Sequence, residues 1–340
     1  MRDGDISILR GPEVRSVLAG RELELIQAVR MAYETHGDGD SSLPHSTFLT
    51  FPGQPRNRII ALPAYLGGPC RIAGVKWVSS FPDNLNLGVD RASAVVILNS
   101  SQTGRPEAIM EGSVISAKRT AASAALAAQC LISESKLGRV GIIGCGLINF
   151  EIARFLLAVF PRAESFVLFD KDEARVKQFA NKKIFDGIKV EIAKDTDAVL
   201  RNCALVSIAT TALTPHIGDL RECPRGAAIL HISLRDLTAE AILSCNNVVD
   251  DVDHVCRAQT SVHLAEQAVG HRKFIRCTLA DILKGRAPAR NGPETVSVFS
   301  PFGLGVLDLA IAKLVRDLAL QQGLQTVISS FVPSSWAEEA

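Results

Sequence analysis

Val140-Gly-Ile-Ile-Gly-Cys-Gly-Leu-Ile-Asn149 is the stretch on which the fold turns. An apolar run over residues 140–143 meets Gly144 and Gly146, and an amphipathic segment follows over residues 147–160. A strand that passes through G-x-G into a helix makes a phosphate cradle. The first glycine permits the tight turn, and the second lets the backbone approach a pyrophosphate. The N–H groups opening the helix then face the anion. The third glycine of this fingerprint is replaced by Asn149. Gly144, Gly146, Leu147, Ile148 and Asn149 are therefore the expected dinucleotide contacts.

The rhythm continues downstream. Residues 166–169 read as a second strand ending on Asp170, with a helix over residues 171–181. An acid at that strand end accepts hydrogen bonds from ribose hydroxyls and repels a 2′-phosphate, so NAD is the expected cofactor. Lys171 and Arg175, just beyond, are bases of the kind that would suit NADP. Further short β runs are expected over residues 190–193, 204–210, 228–233 and 247–249. Apolar strands alternating with helices imply a parallel sheet covered on both faces, a Rossmann-type doubly wound α/β domain. Ligands in such sheets lie beyond the strand C-termini. That places Thr210 and Thr211 after one strand, and Ser233 and Asp236 after another, among the candidates.

The first third is different. Residues 13–19 and 21–35 show helical apolar stripes, and short strand-like runs follow over 59–62, 72–79, 94–99 and 108–111. An Ala-rich helix over residues 116–132 leads into the nucleotide domain. The amphipathic helix over residues 306–322 is expected to return to the first domain. The expected division is a mixed α+β substrate-binding and dimerisation domain, 1–118 with 306–340, and an NAD-binding domain, 119–305. Strands of the first domain need covering, which suggests a homodimer.

Composition excludes several classes. The net charge of +1 leaves no basic footprint for nucleic acid. The N-terminus leads into no apolar h-region, and the most apolar segment, residues 120–132, is too short to span a bilayer. The eight cysteines form no C-x-x-C pair and read as buried thiols, which points to the cytosol. His254, Cys256 and His263 fit no usual zinc spacing, so no metal is expected.

Several polar residues stand where a core would be apolar. Lys76 shares a strand face with Ile72 and Val78. A lysine there is costly unless it meets an anion or loses its proton usefully, although a lysine on an edge strand could also reach outward. Arg119 shares a helix face with Ile115, Ala122 and Leu126, and periodicity alone does not choose between it and Lys118. Arg58, Arg91 and His45 are further cations of this domain. Asp236 is the best acid–base candidate of the second domain, or else a helix N-cap.

These residues resemble a known family over essentially the whole chain, the ornithine cyclodeaminase/mu-crystallin family. The resemblance rests on Lys76 in its strand, Glu111-Gly-Ser-Val-Ile-Ser-Ala-Lys-Arg-Thr120-Ala-Ala, Gly144-Cys-Gly146, Asp236, and Ser300-Pro-Phe-Gly-Leu-Gly-Val-Leu-Asp308. Within the family the chain is similar to the branch of L-2,3-diaminopropionate biosynthesis, which serves siderophore and antibiotic pathways. That similarity runs through Ser42-Leu-Pro-His-Ser-Thr-Phe-Leu49, Asp90-Arg-Ala-Ser-Ala94 and His231-Ile-Ser-Leu-Arg-Asp236. The cyclodeaminases carry Gly-Lys after their aspartate and tend to carry Arg at position 45. Here Leu237 follows Asp236, and His45 is present, so ornithine is disfavoured as substrate.

The resemblance implies NAD-dependent oxidative cleavage of N-(2-amino-2-carboxyethyl)-L-glutamate to 2-oxoglutarate and L-2,3-diaminopropionate. Lys76, Arg119, Arg58, Arg91 and His45 would hold its three carboxylates, and Thr120 would join Thr210, Thr211 and Ser233 at the cofactor. Asp236 would activate water, with Lys76 helping to hold or deprotonate the substrate. The alternatives are a cyclodeaminase, a ketimine or imino-acid reductase, and a crystallin-like dinucleotide-binding protein without catalysis.

Overall fold

The computed structural model describes residues 4–132 and 137–333. The chain opens with β1 (Ile6–Leu9), α1 (Gly11–Leu18) and α2 (Glu22–Gly37), then β2 (Ser41–Ser42), β3 (Thr47–Phe51), β4 (Gln54–Leu66), β5 (Ile72–Ser80), β6 (Ala92–Ser100) and β7 (Pro106–Glu111). The Ala-rich helix α3 (Ser113–Leu131) leads to β8 (Arg139–Ile143), α4 (Leu147–Val159), β9 (Ser165–Phe169), α5 (Glu173–Ala180), β10 (Lys189–Ile192), α6 (Thr196–Asn202), β11 (Leu205–Ile208) and β12 (Ala228–His231). Next come α7 (Ala239–Leu243), β13 (Asn246–Val249), α8 (Val252–Val255), α9 (Ser261–Val269), β14 (Ile275–Thr278), α10 (Leu279–Leu283) and β15 (Ser297–Ser300). The chain closes with α11 (Gly305–Gln322) and β16 (Thr326–Ile328).

Two compact units result, 1–119 with 304–340, and 120–303. The first holds an eight-stranded sheet in the order β16-β1-β7-β6-β5-β4-β2, with β3 also paired to β4. Its centre is an antiparallel meander, β4 to β7, in which Lys76 stands opposite Leu62 on one side and Val96 on the other. Strand alternation sends Leu62, Lys76 and Val96 to the face on which α11 packs across β4, β5 and β6. The opposite face leaves Leu49, Trp77 and Val95 exposed.

The second unit holds eight parallel strands in the order β10-β9-β8-β11-β12-β15-β13-β14. Strand order reverses between β8 and β11, which opens a crevice beyond their C-terminal ends. Gly144 sits at that crevice with φ +90°, and a Cβ there would lie 2.4 Å from the carbonyl oxygen of Ala209. The end of β11 therefore requires glycine at this position. Among the described residues, no helix is long and apolar enough to cross a membrane.

Candidate active site

The turn after β8 is held from three directions. Gly144 N–H donates to Phe169 O at 2.8 Å, and Ala209 N–H donates to Ile143 O at 3.0 Å. Asn149 is fully buried. Its amide donates to Ile143 O at 2.9 Å and Gly144 O at 2.7 Å, and its oxygen accepts from Ser207 Oγ at 2.7 Å. The amide is consumed in bracing the turn from beneath, a task no glycine could perform.

Gly146 is the informative glycine. It is the N-cap of α4, with φ −99°, a conformation open to any residue. A Cβ placed there would meet no protein atom within 4 Å. Nothing in the fold demands glycine, so the demand comes from what approaches the turn. The first backbone bond of α4 runs from Phe150 N–H to Gly146 O. The N–H groups of the preceding turn, including those of Leu147 and Ile148, point off the helix end, where the dipole favours an anion. A cavity of about 460 Å³ opens here, lined by Gly144, Gly146, Asp170, Thr210, Thr211 and His216 among others. These residues fit a dinucleotide.

Asp170 is fixed at the mouth of the turn by N–H donors from Cys145 at 2.8 Å and Asp172 at 3.0 Å. A carboxylate oxygen can accept more than one hydrogen bond, so both remain able to receive ribose hydroxyls. Lys171 and Arg175 line the same cavity, with Arg175 reaching Asp172 at 3.8 Å.

Beyond β11 and β12 lies a buried polar network. Asp236 is fully buried and accepts from Thr210 Oγ1 and Ser233 Oγ, one hydroxyl on each oxygen. Its backbone N–H donates to His231 Nε2 at 3.2 Å, while His231 Nδ1 meets Ser300 Oγ at 3.1 Å. Burial by itself would raise the carboxyl's pKa. The hydrogen bonds of His231, Ser233 and Thr210 outweigh burial and hold it below the ordinary aspartate value. Asp236 is not an N-cap, because Thr238 caps α7 by accepting from Ala241 N–H at 3.2 Å. Both carboxylate oxygens are engaged, and one of them accepts from Thr210, which lines the cofactor cavity.

The first unit supplies a second buried cluster. Lys76 is 2% exposed and sits in an interior strand, so it has no outward route. Its Nζ donates to Asp308 Oδ2 at 2.7 Å and to Ser116 Oγ at 3.1 Å. Arg119 Nε donates to the other oxygen, Asp308 Oδ1, at 3.0 Å. Burial, then the neighbouring Arg119 guanidinium, lower the Lys76 pKa from 10.5 to about 8, with Asp308 pulling the other way. The sequence reading quoted Asp308 but gave it no role.

The other expected cations stand apart. Arg58 shares the sheet face of Lys76 but lies four residues along β4 from Leu62, roughly 13 Å at 3.3 Å per residue. Arg91 is half-buried just before β6, and burial lowers its pKa. His45 is exposed ahead of β3. Thr120 is half-buried in α3. Among the described residues, no cluster of His, Cys, Asp or Glu is placed to hold a metal ion.

The ornithine cyclodeaminase/mu-crystallin family profile matches residues 13–323. The chain belongs to this family. It is 28% identical over 317 residues to the N-((2S)-2-amino-2-carboxyethyl)-L-glutamate dehydrogenase of Staphylococcus aureus, an alignment covering 90% of this chain and 93% of the relative. Its fold matches that of the Δ1-pyrroline-2-carboxylate reductase of Thermococcus litoralis, solved with NADH and L-proline, with a TM-score of 0.87 and 25% identity over 94% of this chain and 99% of that one. An archaeal alanine dehydrogenase dimer with bound NAD matches with a TM-score of 0.86 and 26% identity, over 96% of this chain and 99% of that one.

Within this family member, Asp170 is expected to set cofactor choice. Steady-state kcat/KM should favour NAD over NADP, and Asp170→Ala should narrow the gap. A native preference for NADP would show that Lys171 and Arg175 govern the site instead.

Proposed function

We propose that the chain is an NAD-dependent dehydrogenase that converts N-(2-amino-2-carboxyethyl)-L-glutamate and water to 2-oxoglutarate and L-2,3-diaminopropionate, forming NADH. The observation that carries this reading is the buried Lys76–Asp308–Arg119 cluster. With Lys76 protonated it bears one positive charge in excess, which suits a carboxylate. With Lys76 neutral it offers a base whose pKa lies close to neutrality. Those two properties are what an α-amino acid requires of its oxidase. The choice of substrate within that class is supported by the likeness to the staphylococcal relative.

Gly144, Gly146 and the first turn of α4 would hold the pyrophosphate, and Asp170 the adenosine ribose. Thr210 and Ser233, oriented by Asp236, would serve the nicotinamide end. The chemistry that NAD supplies when bound is acceptance of a hydride from a carbon bearing an amine. Arg119 fixes a substrate carboxylate through its terminal nitrogens. Lys76 takes the proton from the secondary amine, whose lone pair must be free for the carbon to be oxidised. Once water has added to the imine, Lys76 returns a proton to the departing amine. Arg58 and Arg91 would receive the more distant carboxylates of this tricarboxylate. The likeness to the pyrroline-2-carboxylate reductase favours a second reading, reduction of a cyclic imino acid, in which the same groups work in reverse.

The purified protein, given this substrate and NAD, should form NADH, 2-oxoglutarate and diaminopropionate in equal amounts. Release of ammonia with no net NADH would instead identify a cyclodeaminase. The kcat/KM should rise with pH through about 8, since Lys76 acts in its neutral form, and Lys76→Met should abolish that rise. Asp236→Asn should lower the rate but keep the rise. Loss of the rise in Asp236→Asn, with its survival in Lys76→Met, would return the base role to Asp236. We also propose that the exposed face bearing Leu49, Trp77 and Val95 pairs two copies of the chain. Light scattering at micromolar concentration should give the dimer mass, and Trp77→Glu the monomer. A wild-type monomer would refute the pairing.

A further inference from the structure

We infer that Asp308 is a positioning residue for the reaction, one carboxylate that fixes the spacing of Lys76 and Arg119 and governs when Lys76 carries its proton. The inference rests on the role just proposed for Lys76 and adds to it the group that controls that role.

The geometry is specific. Asp308 is fully buried in the first turn of α11. Its neighbours on that helix, Val306, Leu307, Leu309, Ala310 and Ile311, are apolar and buried. Packing alone would be served by a leucine. A buried ion pair seldom stabilises a fold better than apolar residues of the same volume, so its presence calls for another reason. The two carboxylate oxygens are divided, Oδ2 to Lys76 and Oδ1 to Arg119. One rigid group therefore sets the separation of a base and a carboxylate-binding cation that come from different elements, β5 and α3. The N-terminal turn of a helix favours a negative charge at this position.

The charged groups facing Lys76 are Arg119 from α3 and Asp308 from α11. Burial and Arg119 both drive the proton off, and Asp308 alone opposes them. Without that carboxylate the Lys76 pKa would fall below its present value, and Lys76 would hold more weakly the proton it returns to the departing amine.

Asp308→Asn preserves the shape and removes the charge. The alkaline rise of kcat/KM should move to lower pH by about one to three units, the usual effect of an opposite charge in contact. KM for the amino-acid substrate should increase as Arg119 loses its anchor. A merely structural Asp308 would scale the whole profile down without displacing it, and an undisplaced rise overturns the inference.

Thermal melting across pH reads the same titration without turnover, so it separates this inference from failure of the proposed reaction. Lys76 has a folded pKa of about 8 against an ordinary 10.5, so the folded state disfavours its proton. The stability cost of Lys76 relative to Lys76→Met should be absent above 10.5, grow as pH falls, and level off near 8. In the Asp308→Asn background the cost should go on growing below that point. A cost that levels off at the same pH in both backgrounds contradicts the inference. If Asp308→Asn alone fails to fold, Arg119→Met is added to remove the guanidinium left unpaired, and the cost of Lys76 should level off at lower pH in Asp308→Asn/Arg119→Met than in Arg119→Met. The same levelling pH in both would likewise overturn the inference.

Discussion

A single buried carboxylate, Asp308, joins three elements of the first unit and pairs with both of its buried cations. It joins α11 to β5 through Lys76, 232 residues earlier, and to α3 through Arg119, 189 residues earlier. The chain leaves this unit after Arg119, builds the whole parallel sheet, and returns at Leu304 to complete it. Three ionisable groups at or near full burial are expensive to desolvate. The fold tolerates them because each is hydrogen-bonded, and because Lys76 can relinquish its charge close to neutral pH.

The second unit relies on a different economy of parts. Its turn is rigid because Asn149, Phe169 and Ala209 brace it from below and beside. It is open above because Gly146 projects nothing. Gly144 answers to the protein and Gly146 to the ligand, though both belong to one sequence motif. The network around Asp236 extends this division of labour. A fully buried acid does not touch the cavity, yet it sets the direction of Thr210, which does.

Much of this was legible in the sequence, for identifiable reasons. Parallel strands buried on both faces are continuous apolar runs, so β8, β9 and β11 stand out, and the G-x-G turn places the cofactor cradle between a strand and a helix. Period-two alternation placed Lys76 with Ile72 and Val78 on the covered face of its strand, whereas helical periodicity left Lys118 and Arg119 undecided, and both are largely buried in α3. Other features were hidden. β14 and β15 have only four residues each, and β16 is a three-residue strand that pairs with β1 from the opposite end of the chain. Asp308 lay in a quoted motif, but its partners are too distant in sequence for any spacing rule to reveal. Asp236 was visible as an acid near a strand end. Only the coordinates show that two hydroxyls occupy it and that Thr238 does the capping.

The central claim is that Lys76 exchanges its proton near neutrality because of where it is buried. The most direct measurement is a titration of isotope-labelled lysine side chains by NMR in the intact protein without substrate. One lysine should titrate at about 8, and its signal should be missing from Lys76→Met. If every lysine titrates near the ordinary value of 10.5, Lys76 is a permanent cation, and the acid–base role given to this cluster is wrong.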